Sequence, residues 1–305
     1  MEHDSWGYDR CARGTRLVLK VQFQNLNHRK DSTMANISLG AEVYTWFMSE
    51  MGKTYDNKLG HMIEMVAKAG FTGIEPMQFW MGDLSDPAKL KDKLEEHDIK
   101  LAGIALCLDW NNPEETDDER QQGDYYIDLL KQFPGALLCT VQLPNGRHDL
   151  EQRRLNLVSC VNAVSKRAVD AGIECSFHPN SPETSINRTA EDYDVIINGI
   201  DTEVTGWTPD VGHIRNGGMD VLSKMAEFAS LINHIHYKDW DGDPEWTLMG
   251  KGKIDFEAIT QWLVDQDYNG WIMCEDEADD AIEDPDGVTL HDGEYCREKL
   301  APIIA

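Results

Sequence analysis

ALLCTVQLPNGRHDLEQRRLNLVSCVNAVSKRAVDAGIECSFHP (136–179) decides the fold. Its first eight residues form a short run dense in apolar and β-branched side chains. A long stretch from Leu150 follows, with apolar residues recurring every three to four positions. Gly172 closes that stretch, as a left-handed helix terminus requires, and a second β-like run ends in His178. Strand, helix and strand joined in this way make a crossover unit. Such a unit places its two strands parallel, with a right-handed connection.

The same alternation runs outward in both directions. Eight strand candidates can be read: ISLGAEVY (37–44), GIEPM (73–77), KLAGIALCL (100–108), ALLCTVQL (136–143), IECSFHP (173–179), VTGWTPDV (204–211), INHIHYKD (232–239) and WIMCEDE (271–277). Between them lie helix-like stretches such as LGHMIEMVAKA, DPAKLKDKLEEH, DERQQGDYYIDLLKQ and DFEAITQWLVDQ. Eight β-α repeats fit a closed (β/α)8 barrel, an α/β fold formed by a single domain, better than an open sheet. No GxGxxG follows the first strand, so the usual dinucleotide signal is missing.

The barrel is assigned to residues 34–305. Residues 1–33 carry six Lys/Arg against four Asp/Glu, unlike the rest of the chain, and are read as an appended or disordered leader. The alternative is an additional strand from RLVLKVQF (16–23). Across 305 residues the hydrophobic fraction is 41%, enough for a buried core. The formal charge of −27 repels phosphate backbones and anionic bilayers, so neither a nucleic acid nor a membrane is expected as partner. The seven cysteines are scattered without a CxxC pair, as in a reduced, cytoplasmic protein.

Barrel active sites lie at the C-terminal strand ends. Here those ends carry Glu75, Asp109 and Trp110, Gln142, His178 and Asn180, Asp210 and His213, His236 with Lys238 and Asp239, and Glu275 with Glu277. Buried charges are costly unless paired or metal-bound, so carboxylates and imidazoles converging on one rim point to a metal site. Its oxygen and nitrogen donors suit Mn, Mg, Co, Fe(II) or Zn. Each residue also has a plainer reading. Asp210 suits the cap of a following helix, one of His234 and His236 suits a core histidine, and Glu277 suits acidic surface within EDEADDAIEDPD.

At these residues the chain resembles the xylose-isomerase-like barrel superfamily of sugar isomerases, epimerases and inosose dehydratases. The resemblance lies in PDVGHIRNGGMD (209–220), HIHYKDW (234–240), MGKGKIDFEAI (249–259) and YNGWIMCEDE (268–277). It implies that Asp210, His236 and Glu275 are metal ligands, that His213 contacts substrate, and that Lys238 contacts a substrate oxygen or an anionic neighbour. The fourth ligand is His178 in one register of SFHPN. In the other register Ser176 takes that place, and Gln142 or water completes the shell.

The resemblance further implies metal-assisted removal of a proton beside the carbonyl of a keto sugar or cyclitol. His178 and Glu275 are the expected bases, with Glu75 and His213 in reserve. Lys238 counts with the catalytic residues, and Glu75, Trp110, Asn180 and His213 count as substrate contacts. Two of Trp46, Trp80, Trp110, Trp207, Trp240 and Trp246 are expected to face the sugar. A divalent-metal-dependent isomerase or epimerase is the first reading, and a homo-oligomer is compatible with it. An inosose-dehydratase-like enzyme or 3-keto-glycoside lyase is the second. An abasic-site nuclease needs a basic groove that the charge opposes, and a sugar-binding barrel without turnover is the remaining alternative.

Overall fold

The computed structural model describes residues 36–50, 53, 57–243 and 245–305. The leader assigned to residues 1–33, including RLVLKVQF, lies outside the described residues. The strands are β1 (Ile37–Glu42), β2 (Gly73–Glu75), β3 (Lys100–Leu101), β4 (Gly103–Leu108), β5 (Leu137–Gln142), β6 (Cys175–His178), β7 (Gly206–Trp207), β8 (Ile235–Tyr237) and β9 (Gly270–Cys274). Their ladders are parallel and run in the orders β3-β2-β1-β9-β8 and β4-β5-β6-β7. Parallel bridges between Met77 and Ala105, Trp207 and Ile232, and Asp210 and His236 join the two ladders. Because β1 also pairs with β9, with Ile37 opposite Gly270, the ring closes into a barrel.

The third expected strand is broken at Ala102. That residue still donates its N–H to Ile74 O (2.9 Å) and accepts from Leu137 N (3.2 Å), so β3 and β4 act as one stave. All six residues of β4 are buried, as expected for a parallel strand covered on both faces.

The helix Leu59–Ala69 ends on Gly70 at φ 90°, and Gly172 (φ 82°) follows the long helix Leu150–Asp170. That long helix buries Leu157, Cys160, Val161, Val164 and Ala168, the stripe that its apolar periodicity forecasts. Its Arg154 reaches the buried Asp192, which also closes the capping box of the helix Ala190–Ile197.

The acidic run near the C-terminus is not merely a solvated surface. Asp284 caps a helix, Pro285–Tyr295, that starts on proline. This helix packs so closely on Leu59–Ala69 that a Cβ at Gly293 would lie 2.2 Å from the Ala69 carbonyl oxygen. Among the described residues no helix is long and apolar enough to cross a membrane. The six described cysteines are all free and buried.

Candidate metal centre

Four side chains meet at the C-terminal rim: His178 from the end of β6, Asp210 beyond β7, His236 from β8 and Glu275 just after β9. One ligand atom from each lies within 4.8 Å of the others, and all four residues are buried. Asp210 serves two purposes. Its Oδ1 accepts the His213 N–H at 2.7 Å and caps the helix Val211–Asn216. Its Oδ2 has no hydrogen-bond partner, and neither does either ring nitrogen of His178. Orphaned buried acceptors facing one point are what a cation would satisfy. The nitrogen and oxygen donors here therefore fit a divalent metal.

His236 is held from both ends. Nδ1 lies 3.2 Å from Glu275 Oε2, and Nε2 lies 3.1 Å from Glu75 Oε2. His234 Nε2 meets the same Glu75 oxygen at 2.5 Å. Of this pair of histidines, His234 is thus the core residue, fully buried beneath the site. Burial alone would lower the His236 pKa, but Glu75 and Glu275 hold it well above the usual imidazole value. Burial likewise pushes Glu75 up, and the two imidazoles overcome it, keeping the carboxyl well below its ordinary range. A carboxylate behind a ligating imidazole fixes the ring and its tautomer.

Lys238 is fully buried. Its Nζ donates to Glu275 Oε1 (2.8 Å) and to Glu277, and stands 3.4 Å from Asp210 Oδ2. It also lies 3.0 Å from His213 Nε2. Burial depresses the His213 pKa to about 3, so the ring is neutral and its Nε2 is free to accept from lysine. His213 Nδ1 pairs with Ser181 Oγ at 2.8 Å. Glu277 is half-buried on this lysine, which replaces its reading as solvated surface.

A cavity of about 160 Å³ opens above the cluster. His178, Asn180, His213, His236, Glu275, Gln142, Glu42 and Glu277 give it its polar groups. Gln142 Oε1 and Asn180 Oδ1 have no partner. The other register of SFHPN is filled lower in the barrel, where Ser176 Oγ meets Thr208 Oγ1 at 2.5 Å.

Three expectations are corrected by this geometry. Trp110 is fully buried and does not line the cavity; its N–H is accepted by Glu119 at 2.7 Å, and its φ of 44° turns the chain away. None of the other five rim tryptophans lines the cavity either, and its aromatic walls are Tyr44, Phe47 and Phe79. Glu75 lies under the histidines rather than in the cavity, so its contacts are to protein.

Sequence reading missed Glu42. It ends β1, is buried, lines the cavity and accepts the Tyr44 N–H. Burial, then the neighbouring Glu275 and Glu75 carboxylates, push its pKa well above the usual value. The strand-end rule that found the other residues would have found it in ISLGAEVY. The role of Asp239 was equally hidden. Its carboxylate accepts from the N–H groups of Trp240, Gly250, Gly252 and Ile254, tying the MGKGKID loop to the rim. A Cβ at Gly252 would lie 2.3 Å from Asp239 Oδ1, which is why glycine is needed there.

The model of the xylose isomerase-like TIM barrel matches residues 63–299. The chain belongs to that family. Among curated members it is 25% identical to an inosose dehydratase of Clostridium botulinum (strain Alaska E43 / Type E3), over 83% of this chain and 93% of that one. Its fold is similar to that of D-psicose 3-epimerase from Clostridium cellulolyticum H10, with a TM-score of 0.65 at 18% identity, covering 86% of this chain and 99% of that one. The IOLI protein with a bound zinc atom matches with a TM-score of 0.66 at 16% identity, over 88% of this chain and 98% of that one.

Proposed function

We propose that this family member is a divalent-metal-dependent enzyme that removes a proton beside the carbonyl of a keto sugar or keto cyclitol. The observation that carries the proposal is the cluster of His178, Asp210, His236 and Glu275, in which Asp210 Oδ2 and the His178 ring nitrogens have no partner and from which His178, His236 and Glu275 line a cavity at the barrel rim. The inosose dehydratase relatives support a polyhydroxylated ketone as substrate, and the zinc in the IOLI protein supports a divalent ion.

Bound there, such an ion supplies Lewis acidity toward the carbonyl and neighbouring hydroxyl oxygens of the substrate. The chain's own groups divide the remaining work. Glu275 has Oε1 on Lys238 and Oε2 on His236, so it is poorly placed to take a proton. Glu42 lines the cavity and forms no ion pair among the described residues, so its carboxylate is open to a substrate proton. We therefore assign it the abstraction. The buried ammonium of Lys238 acts through Glu275 and Glu277, the two cavity carboxylates to which it donates. Gln142 and Asn180 present unpaired amide oxygens to substrate hydroxyls.

The fate of the carbanion separates two readings. Loss of a β-hydroxyl needs a proton donor on the cavity side, and the hydrogen-bonded pair of Lys238 and Glu277 holds one. This pair, together with the inosose dehydratase relatives, makes dehydration the first reading. Return of the proton to carbon, giving an epimer or isomer, is the second. Glu42 on β1 faces the cavity across the barrel from His178 on β6, so a proton it has taken can be handed back to carbon from its own side.

The test is a panel of keto sugars and keto inositols with Mn²⁺-loaded protein in deuterated water. An enone or diketone chromophore marks dehydration. An isomeric product one mass unit heavier, carrying one solvent deuterium on carbon, marks epimerisation or isomerisation. Substrate recovered without deuterium across the panel refutes proton abstraction, and an Asp210→Ala variant that retains stoichiometric metal refutes the ligand set.

A further inference from the structure

We infer that the mouth of this cavity is a subsite for an apolar substituent, aryl or alkyl, carried by the hydroxyketone substrate. The inference rests on the reading of the metal site given above and names the substrate class more narrowly.

Polarity is divided by depth. The floor holds the buried His178, His236 and Glu275, whereas the mouth is walled by Phe47, Phe79, Leu143, Pro144 and Pro182. Phe79 is 46% exposed and Leu143 is 38% exposed, so both leave much of their apolar surface in water. The five wall residues come from four segments, following β1, β2, β5 and β6. Phe47 lies tilted against Tyr44 with ring centroids 4.9 Å apart and meets Phe79 edge-on at 6.1 Å, which makes one continuous aromatic wall.

A bare polyol fits the floor but not this mouth. Hydroxyls pressed against Phe47, Phe79 and Leu143 would lose water without gaining partners. The cavity, at about 160 Å³, is also smaller than the roughly 300–1,000 Å³ of sites that enclose drug-sized ligands. One hydroxylated ring fills it, and a substituent that reaches solvent passes the exposed part of the wall, where Phe79 and Leu143 stand. An aromatic or alkyl group there would cover surface that is otherwise wet. Phe79 and Leu143 also border an adjoining cavity with Asp109, Asn111 and Glu119, so a second sugar ring is the competing occupant.

The experiment is calorimetry on the Mn²⁺-loaded protein with methyl, phenyl and glucosyl β-glucosides. These lack the carbonyl and so do not turn over. The phenyl glycoside is expected to bind at least tenfold tighter than the methyl glycoside, and Phe79→Ala to bring that ratio towards one. Leu143→Ala should act in the same direction, and both side chains are exposed enough to be truncated without unfolding the barrel. A phenyl-to-methyl ratio near one in the wild type overturns the inference, as does a ratio that Phe79→Ala leaves unchanged, a glucosyl glycoside matching the phenyl one, or binding of none of the three. Failure of the functional reading shows separately, as a protein that takes up no metal or exchanges no deuterium with any ketone.

Discussion

Replacing Lys238 with methionine isolates the electrostatics of the rim. The ammonium is fully buried, 2.8 Å from Glu275 and 3.4 Å from Asp210, and hydrogen-bonded to Glu277. At an effective dielectric of about 20, each such contact is worth on the order of 4 kcal/mol of attraction. Methionine matches the length of the chain but leaves three carboxylates facing one another. Glu277 can take up a proton to relieve part of that repulsion. The metal-free variant should then lose about 3–5 kcal/mol, the usual cost of stripping one partner from a buried pair.

The same lysine repels an incoming cation, so the variant should bind Mn²⁺ more tightly. At 100 times its Kd a cation adds about 2.7 kcal/mol to stability, and the variant should gain more than the wild type at equal metal. Urea titrations of both proteins, with and without Mn²⁺, measure all four values. A metal-free loss below about 1 kcal/mol, or a gap that saturating metal does not narrow, refutes the account of Lys238 as the counterion of the Asp210, Glu275 and Glu277 carboxylates.

Two more outcomes follow from the same geometry. Burial pushes Glu277 up to about 8, so above its ordinary value of 4.5 the folded metal-free protein binds a proton that the unfolded chain has released. Stability should therefore fall between pH 4.5 and 8; in Glu277→Gln that slope should shrink to the part due to the other groups held high, His236 and Glu42 among them, and equal slopes in urea titrations would count against it. Trp110→Ala should cost about 3–5 kcal/mol in thermal or urea unfolding while leaving glycoside affinity unchanged, whereas a variant with native stability and weakened binding would return Trp110 to the substrate.

Periodicity made the barrel legible because β-α alternation is a local property, visible in runs such as GIALCL and in glycines placed after helices. The break at Ala102 was not legible, since it depends on hydrogen bonds to Ile74 and Leu137, far away in sequence. The site residues were legible as strand-end polar groups, because charge in an otherwise apolar strand must have a partner. The depth of each was not. Glu75 and Trp110 end strands as Glu275 and Asp109 do, yet both turn into the protein, one to two imidazoles and one to the core. Glu42 shows the opposite error, a cavity carboxylate hidden in a strand that looked purely structural.

The pairing of β1 with β9 also governs how the molecule is made. The seam joins the first described strand to the last, so no closed ring exists until β9 has left the ribosome. Asp210, His236 and Glu275 all lie late in the chain, and His236 is steadied by Glu75 from an early strand. The proposed metal would therefore find no assembled site on a nascent chain, and its uptake would fall among the last events of maturation. Contacts this distant in sequence slow folding, and they leave the incomplete barrel with open strand edges at both ends while it waits for its final strand.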